Sequence, residues 1–291
     1  MAQQIPIDPD ARAGVDIQDE HVTEVVDDVA CKRLAMVNVV YVGGQGRPWV
    51  LIDTGLPGTA GMIARSADAR FGAPPVAIVL THGHFDHTGA LATLADRWNV
   101  PVYAHPDEHP YLNGESSYPP PDPSVGGGLM SMLASLYPRG PVDVRQRLHA
   151  LPTDGSVPHM PGWRWIHTPG HSVGHVSLWR AADKTLIAGD AVITTAQESA
   201  YAVTTQEPEL HGPPMYFTHD WHAAGQSAQR LSDLQAEVLV TGHGRAMQGE
   251  KMREALRDLA ARFDRVAVPQ GGRFAVEPQT VENGKAYPGR S

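Results

Sequence analysis

The chain has 291 residues, 42% of them hydrophobic and 19% charged, and a formal net charge of −9. That length supports a sizeable buried core, while the acidic balance and the lack of any Lys/Arg run exclude the basic footprint that a nucleic-acid backbone requires. The single cysteine, Cys31, rules out an intrachain disulfide; it fits a reducing compartment and reads as a small buried residue.

No run approaches the ~18 apolar residues of a membrane helix. The opening ten residues carry neither the basic segment nor the apolar stretch of a signal peptide. The expectation is a cytoplasmic protein with a small-molecule substrate and no nucleic-acid or membrane partner. Self-association into a homo-oligomer is left open by the sequence.

In chain order, short β-branched and apolar runs at 33–42, 49–53, 76–81 and 102–104 predict strands, and helical patterns at 59–71 and 88–98 fall between them. Residues 106–141 break this rhythm with Pro-Pro-Pro-Asp-Pro at 119–123 and three glycines at 126–128. A Pro/Gly-rich stretch of this kind predicts a lid-like insertion, with a purely structural loop as the alternative, and a short apolar helix over 129–137. Strands resume at 163–167, 175–179, 185–188 and 238–241, with helices at 220–234 and 249–266. In the first of these helices Trp221, Ala224, Ala228, Leu231 and Leu234 share one face. The tail 271–291 is polar and is expected to be extended or loosely docked. Strands and helices alternate in two halves, which predicts a single α/β domain over 1–270, built as a four-layer αββα sandwich.

The chemistry concentrates at His82, His84, Asp86 and His87. They follow an apolar strand and precede a helix, on the kind of loop where open α/β sheets place ligands. Residues two apart can converge on one point, and Gly83 is expected to allow a tight path between the first pair. Imidazole and carboxylate suit zinc and similar borderline metals. One histidine in a turn is ordinarily just a solvated polar group; H-x-H-x-D-H directly after a buried strand is a different matter. His171, in Thr168-Pro-Gly-His, Asp190, in Leu186-Ile-Ala-Gly-Asp, and His243, in Val240-Thr-Gly-His-Gly, stand in equivalent places after other strands. Each is weak alone, and their recurrence at strand ends strengthens all three.

On these motifs the sequence resembles the metallo-β-lactamase-fold hydrolases, from about Val40 to Gly249 and with the motifs in that family's order. The resemblance implies two divalent metal ions, zinc by default, with iron or manganese as alternatives. One ion would be held by His82, His84 and His171 and the other by Asp86, His87 and His243, with Asp190 shared between them. Asp53, in Leu51-Ile-Asp-Thr-Gly, resembles the family's early aspartate, which orients a ligand histidine from outside. His175 looks like a packing or supporting residue.

The implied reaction is attack by a metal-bridging hydroxide on a carbonyl or phosphoryl centre, with Asp86 as the catalytic carboxylate that aligns the nucleophile or passes a proton. Asp190 and the Thr-Pro-Gly-His and Ala-Gly-Asp elements lean toward the glyoxalase II and lactonase-like branches rather than the true β-lactamases. The expected substrate is therefore a lactone, thioester or carboxylic ester. Promiscuous β-lactam or phosphotriester hydrolysis, and a non-catalytic metal-binding protein of the same fold, are the alternatives. Lactonases place a tyrosine soon after Gly-Asp, whereas here the first is Tyr201; Tyr201, Tyr216 and Tyr118 are the candidates to contact substrate. Residues 208–220, together with Trp221 and 129–137, are expected to wall an apolar cleft.

Overall fold

A computed structural model describes residues 5–17, 22–205 and 208–279. Two sheets form its centre. The first runs Val15–Ile17, Val22–Val26, Val29–Leu34, Val37–Val42, Val50–Ile52, Ala77–Val79, Val102–Ala104 and Leu148–Ala150 in both chain and spatial order. It is antiparallel as far as Val50–Ile52, after which three strands join in parallel. The second runs Trp163–His167, Val176–Arg180, Thr185–Ile187, Val238–Val240 and Met247–Gln248, with its third and fourth strands parallel.

Parallel neighbours need long crossovers. Here they contain the helices Ala60–Phe71, Leu91–Trp98 and Trp221–Asp233. The last of these starts at Asp220, whose carboxylate accepts the Ala223 N–H at 2.9 Å, satisfying one of the orphan donors of the first turn.

Side-chain alternation along the strands sorts the core into three slabs. Between the sheets, Val40, Ile52 and Val79 meet Val176, Leu178, Ile187 and Val240. Outside the first sheet, Tyr41, Leu51 and Ile78 pack on Ile63, Ala67, Leu91 and Leu94. Outside the second, Leu186 and Leu239 pack on Ala224, Ala228, Leu231 and Leu256. The result is the predicted four-layer αββα arrangement. Cys31 lies in the inter-sheet slab, where burial pushes its thiol up to about 12.

Several elements differ from expectation. The run 33–42 is a hairpin rather than one strand: Val29–Leu34 and Val37–Val42 pair across a turn at Ala35 with φ +57°. No Gly or Asn marks that turn, so the apolar pattern reads as continuous. The helix expected at 88–98 is two, Phe85–Thr88 and Leu91–Trp98, and the one at 249–266 breaks after Ala261.

Residues 106–141 pack against the body of the domain. Tyr111, Leu112 and Tyr118 are buried, and the Asp122 N–H donates to the Tyr216 carbonyl at 2.8 Å. Residues 271–279 of the tail also dock: Arg273–Val276 is a helical turn, Phe274 is buried, and the Arg273 N–H donates to Asp122 at 2.6 Å. The rest of the tail, 280–291, lies outside the described residues.

Candidate metal centre

All of the predicted ligand residues come together at one edge of the two sheets. His82, His84, Asp86, His87, His171, Asp190 and His243 are buried and form overlapping groups: His82, His84 and His171; Asp86, His87 and His243; and His82, His87 and Asp190. Within each group the ligand atoms lie within 4.8 Å of one another.

The first sheet delivers four of these residues on a single turn. His82 and His84 follow the strand Ala77–Val79, with His84 in extended backbone at the N-cap; Asp86 and His87 then sit on the helical turn Phe85–Thr88. The second sheet delivers one residue from each of three strand ends. Gly83 and Gly242 serve close approach rather than unusual backbone. A Cβ on Gly83 would lie 2.7 Å from the Tyr118 hydroxyl, and one on Gly242 would lie 1.9 Å from Asp190 Oδ1. The expectation for Gly83 is corrected accordingly: crowding, not a tight backbone path, demands glycine there.

Asp190 is the hub. Its Oδ2 is 3.0 Å from His243 Nε2 and 3.4 Å from His171 Nε2, and its Oδ1 is 3.4 Å from His87 Nε2. His243 Nε2 is also 3.5 Å from Asp86 Oδ2. His84 Nδ1 faces His171 Nε2 at 2.9 Å. His82 Nε2, His84 Nε2, His87 Nε2 and Asp190 Oδ1 are buried and make no hydrogen bond. Orphaned buried polar atoms are costly, and those of His82, His87 and Asp190, which share one group, form the pattern expected of ligand atoms prepared for a cation.

Charge follows the same division. Burial holds His82, His84 and His171 well below the usual imidazole range, with neighbouring histidines adding to the depression. Burial also opposes charge on His87, but Asp190, Asp53 and Asp86 outweigh it and raise that ring well above its ordinary value. Asp190, despite its burial, is held ionised by His243 and His87. Burial raises Asp86.

Supports behind the cluster fix the ring orientations. Asp53 accepts from His87 Nδ1 at 2.8 Å, the Thr81 N–H at 2.8 Å and the Thr81 hydroxyl at 2.7 Å, as expected of an orienting carboxylate. His243 Nδ1 donates to the Met36 carbonyl at 2.6 Å, and His171 Nδ1 meets Thr218 Oγ1 at 3.1 Å. His175 is no ligand: its Nε2 accepts the Asp190 N–H at 2.9 Å.

Sequence reasoning missed Glu108. Its buried carboxylate takes the Gly83 N–H at 2.9 Å, the Ser172 hydroxyl at 2.6 Å, the Gly174 N–H at 2.8 Å and the Tyr118 hydroxyl. It therefore ties the loop of His82 and His84 to the loop of His171. Its only sequence signal is an acidic residue inside the insertion.

The tyrosine candidates separate. Tyr118 packs its ring 4.3 Å from His84 and spends its hydroxyl on Glu108, so it holds the loop rather than facing a cleft. Tyr201 is 70% exposed on Ala200–Thr205. Tyr216 is buried, and its hydroxyl is pushed well above its usual value by burial and by the charges of Asp86 and Glu198. Tyr137, not foreseen as a polar group, stacks on Phe85 at 5.1 Å and also feels Asp86.

Of the segments expected to wall the cleft, 208–220 brings Phe217 to 4.9 Å from His84. Trp221 is not in the wall; it packs in the outer slab toward Phe263, 6.3 Å away.

The sequence profile of the metallo-beta-lactamase superfamily matches residues 33–243. The chain belongs to that superfamily of metallo-hydrolases. It is 45% identical over 236 residues to "Probable metallo-hydrolase YflN" of Bacillus subtilis (strain 168), covering 80% of this chain and 89% of the relative. In fold it is similar to a B3 metallo-beta-lactamase described as the first with an active-site glutamic acid: TM-score 0.57, 20% identity, covering 88% of this chain and 92% of that one. It is likewise similar to TTHA1623 in a di-iron-bound form: TM-score 0.50, 24% identity, covering 77% and 95%. Among the described residues no helix is long and apolar enough to cross a membrane.

Proposed function

We propose that this chain is a dinuclear metal-dependent hydrolase that cleaves a small ester-like substrate: a lactone, thioester or carboxylic ester. One observation carries the reading. Three buried ligand atoms, on His82, His87 and Asp190, lack hydrogen-bond partners at the junction of two triads. His82, His84 and His171 would hold one ion and Asp86, His87 and His243 the other, with Asp190 shared between them. Bound there, the ions would supply a water activated near neutral pH and polarise the scissile carbonyl.

The chain's own residues do the rest. Asp53, Thr218 and the Met36 carbonyl hold the rings of His87, His171 and His243. Asp86, raised by burial, aligns the attacking water and returns its proton to the leaving group. An imidazole-rich, carboxylate-bridged donor set favours zinc, with iron or manganese accepted by the same geometry.

The substrate class rests on a cavity of about 540 Å³ that is linked to the cluster through Met36 and is lined by none of the seven ligand residues. Met36, whose carbonyl holds His243, lines it together with Met130, Val203 and Arg33. A mostly apolar wall beside a metal pair suits a hydrophobic acyl group better than a polyanion. Residues 106–141 close over this side as a substrate-facing lid, with Tyr137 on Phe85 beside Asp86.

Elemental analysis of protein purified without added metal, followed by a panel of lactones, thioesters, β-lactams and phosphotriesters, tests the proposal. The expected result is about two ions per chain, with turnover confined to the ester-type substrates. Preferential β-lactam or phosphotriester turnover would overturn the substrate class, and a metal-loaded but inert protein would overturn the enzyme.

A further inference from the structure

The docked tail reaches the back of the metal cluster through one residue, His219. Its ring is fully buried and, among the described residues, belongs to none of the groups that could hold a metal. Burial pushes its imidazole down to about 3, so the ring is neutral and packs as an apolar body. Phe274 meets it edge-to-face, with centroids 4.6 Å apart and 81° between planes. The Gln279 N–H donates to the His219 carbonyl at 3.0 Å.

On its other side the same segment carries His171. The N–H groups of His219 and Asp220 both donate to the Gly170 carbonyl, at 3.1 and 3.0 Å. Thr218 decides the tautomer. Its hydroxyl donates to the Pro214 carbonyl at 2.7 Å, so Thr218 Oγ1 accepts from His171 Nδ1, 3.1 Å away. The proton then sits on Nδ1 and leaves the Nε2 lone pair for the cluster, the state that a metal ligand needs. His82 and His84 belong to the turn after Ala77–Val79, so a shift of 214–220 would move His171 and leave them in place.

The tail grips this segment at a second point. The Arg273 N–H donates to Asp122 at 2.6 Å, and the Asp122 N–H donates in turn to the Tyr216 carbonyl at 2.8 Å. Gly272, at φ +98°, comes so close that a Cβ would lie 2.4 Å from Val125.

We infer that residues 272–279 form a positioning strap for His171: Phe274 and Gln279 hold His219, and His219 with Thr218 sets the place of that ligand, a role that rests on the dinuclear reading above. The strap touches no ligand atom, so its effect falls on one member of one triad. The competing explanation is that the tail only covers apolar surface, and then its loss costs stability and nothing specific at the metal.

The test is chelator competition for zinc on the full chain, comparing wild type with Phe274→Ala, Phe274→Leu and Gln279→Pro. Gln279→Pro removes the N–H that reaches His219 and leaves the buried Phe274 ring in place, so it decides the question even where Phe274→Ala fails to fold. One of two zinc ions should be given up about tenfold more readily in Phe274→Ala and to a smaller extent in Gln279→Pro. The second ion should stay within about twofold of wild type, and Phe274→Leu, which keeps an apolar body against His219, should recover most of the loss. In the metal-free protein, hydrogen exchange at the His219 and Asp220 amides should quicken in the same order. Unchanged zinc affinity in Gln279→Pro and in a folded Phe274→Ala would overturn the strap, and so would equal weakening of both ions. Wild type that takes up no zinc would sink the dinuclear reading instead, while the exchange rates still decide whether the tail holds the His171 loop.

Discussion

The two sheets contribute to the central cluster in different ways. The first places His82, His84, Asp86 and His87 on one strand-to-helix turn, so local backbone sets their mutual geometry. The second supplies His171, Asp190 and His243 from three strand ends, and each is held by its own distant partner: Thr218, the His175 ring and the Met36 carbonyl. A local constellation can be supported by one or two groups, here Asp53 and Glu108. A distributed one needs a hub, and Asp190 fills that place by approaching His87, His171 and His243 together.

If the hub matters most, Asp190→Ala has the largest effect. It removes the only carboxylate that, among the described residues, touches both triads, and leaves three buried imidazoles facing one another. Several kcal/mol of transition-state stabilisation attributed to a metal correspond to a loss on the order of 10³-fold in kcat/KM at ~1.4 kcal/mol per decade. Steady-state kinetics and metal content read together check this. A variant that keeps both full activity and full metal content would show that the two triads act without their bridge.

Glu108 tests the joint between the sheets. Glu108→Ala strands the Gly174 N–H and the Ser172 hydroxyl and leaves the Gly83 N–H with the Tyr118 hydroxyl alone, at a cost of about 1–3 kcal/mol for each buried donor that water cannot reach. Breaking such a network should lower unfolding free energy by roughly 3–5 kcal/mol, measured by urea denaturation. Glu108→Gln, which keeps an acceptor oxygen, should recover part of that loss.

The supports come next. Asp53→Asn weakens the orientation of His87 and should cost about 10–100-fold in metal affinity or activity. Thr218→Val removes a single contact to His171 and should fall at about the lower end of that range. Metal-competition titrations rank the two. If Thr218→Val proved the more damaging, the distributed half would be the more fragile one, contrary to the expectation that Asp190 carries it.

How much of this was legible follows from the same contrast. The H-x-H-x-D-H turn is contiguous and reads directly, and His171, Asp190 and His243 read because each follows an apolar strand with glycine beside it. The four-layer fold was legible from strand and helix alternation. The hairpin at Ala35 was not, because an alanine at positive φ leaves no mark in the residue pattern. Glu108 was hidden for a different reason: its four partners come from Gly83, Tyr118, Ser172 and Gly174, and nothing local announces a carboxylate that serves remote amides. Gly83 was read as backbone freedom when its neighbours show that it makes room for Tyr118. Trp221 was placed at the cleft because an amphipathic helix shows which face is buried but not against what.

The smallest expected effect on stability separates the segment 129–136 from the core beside it. Leu129–Leu133 and the turn after it bury Ser131 and Ala134, while Leu129, Met132 and Leu136 are 54%, 70% and 79% exposed. Exposed side chains away from caps and networks contribute little to folding, so Met132→Ser with Leu136→Ser should change unfolding free energy by no more than about 0.5 kcal/mol. If the segment meets the acyl part of the substrate, the same double variant should raise KM for long-chain esters several-fold and leave short-chain esters and kcat untouched, the signature of lost uniform binding. A stability loss without a KM change would make 129–136 a structural brace. Unchanged stability and unchanged chain-length preference would leave the cavity between Met36 and Val203 as the sole source of specificity.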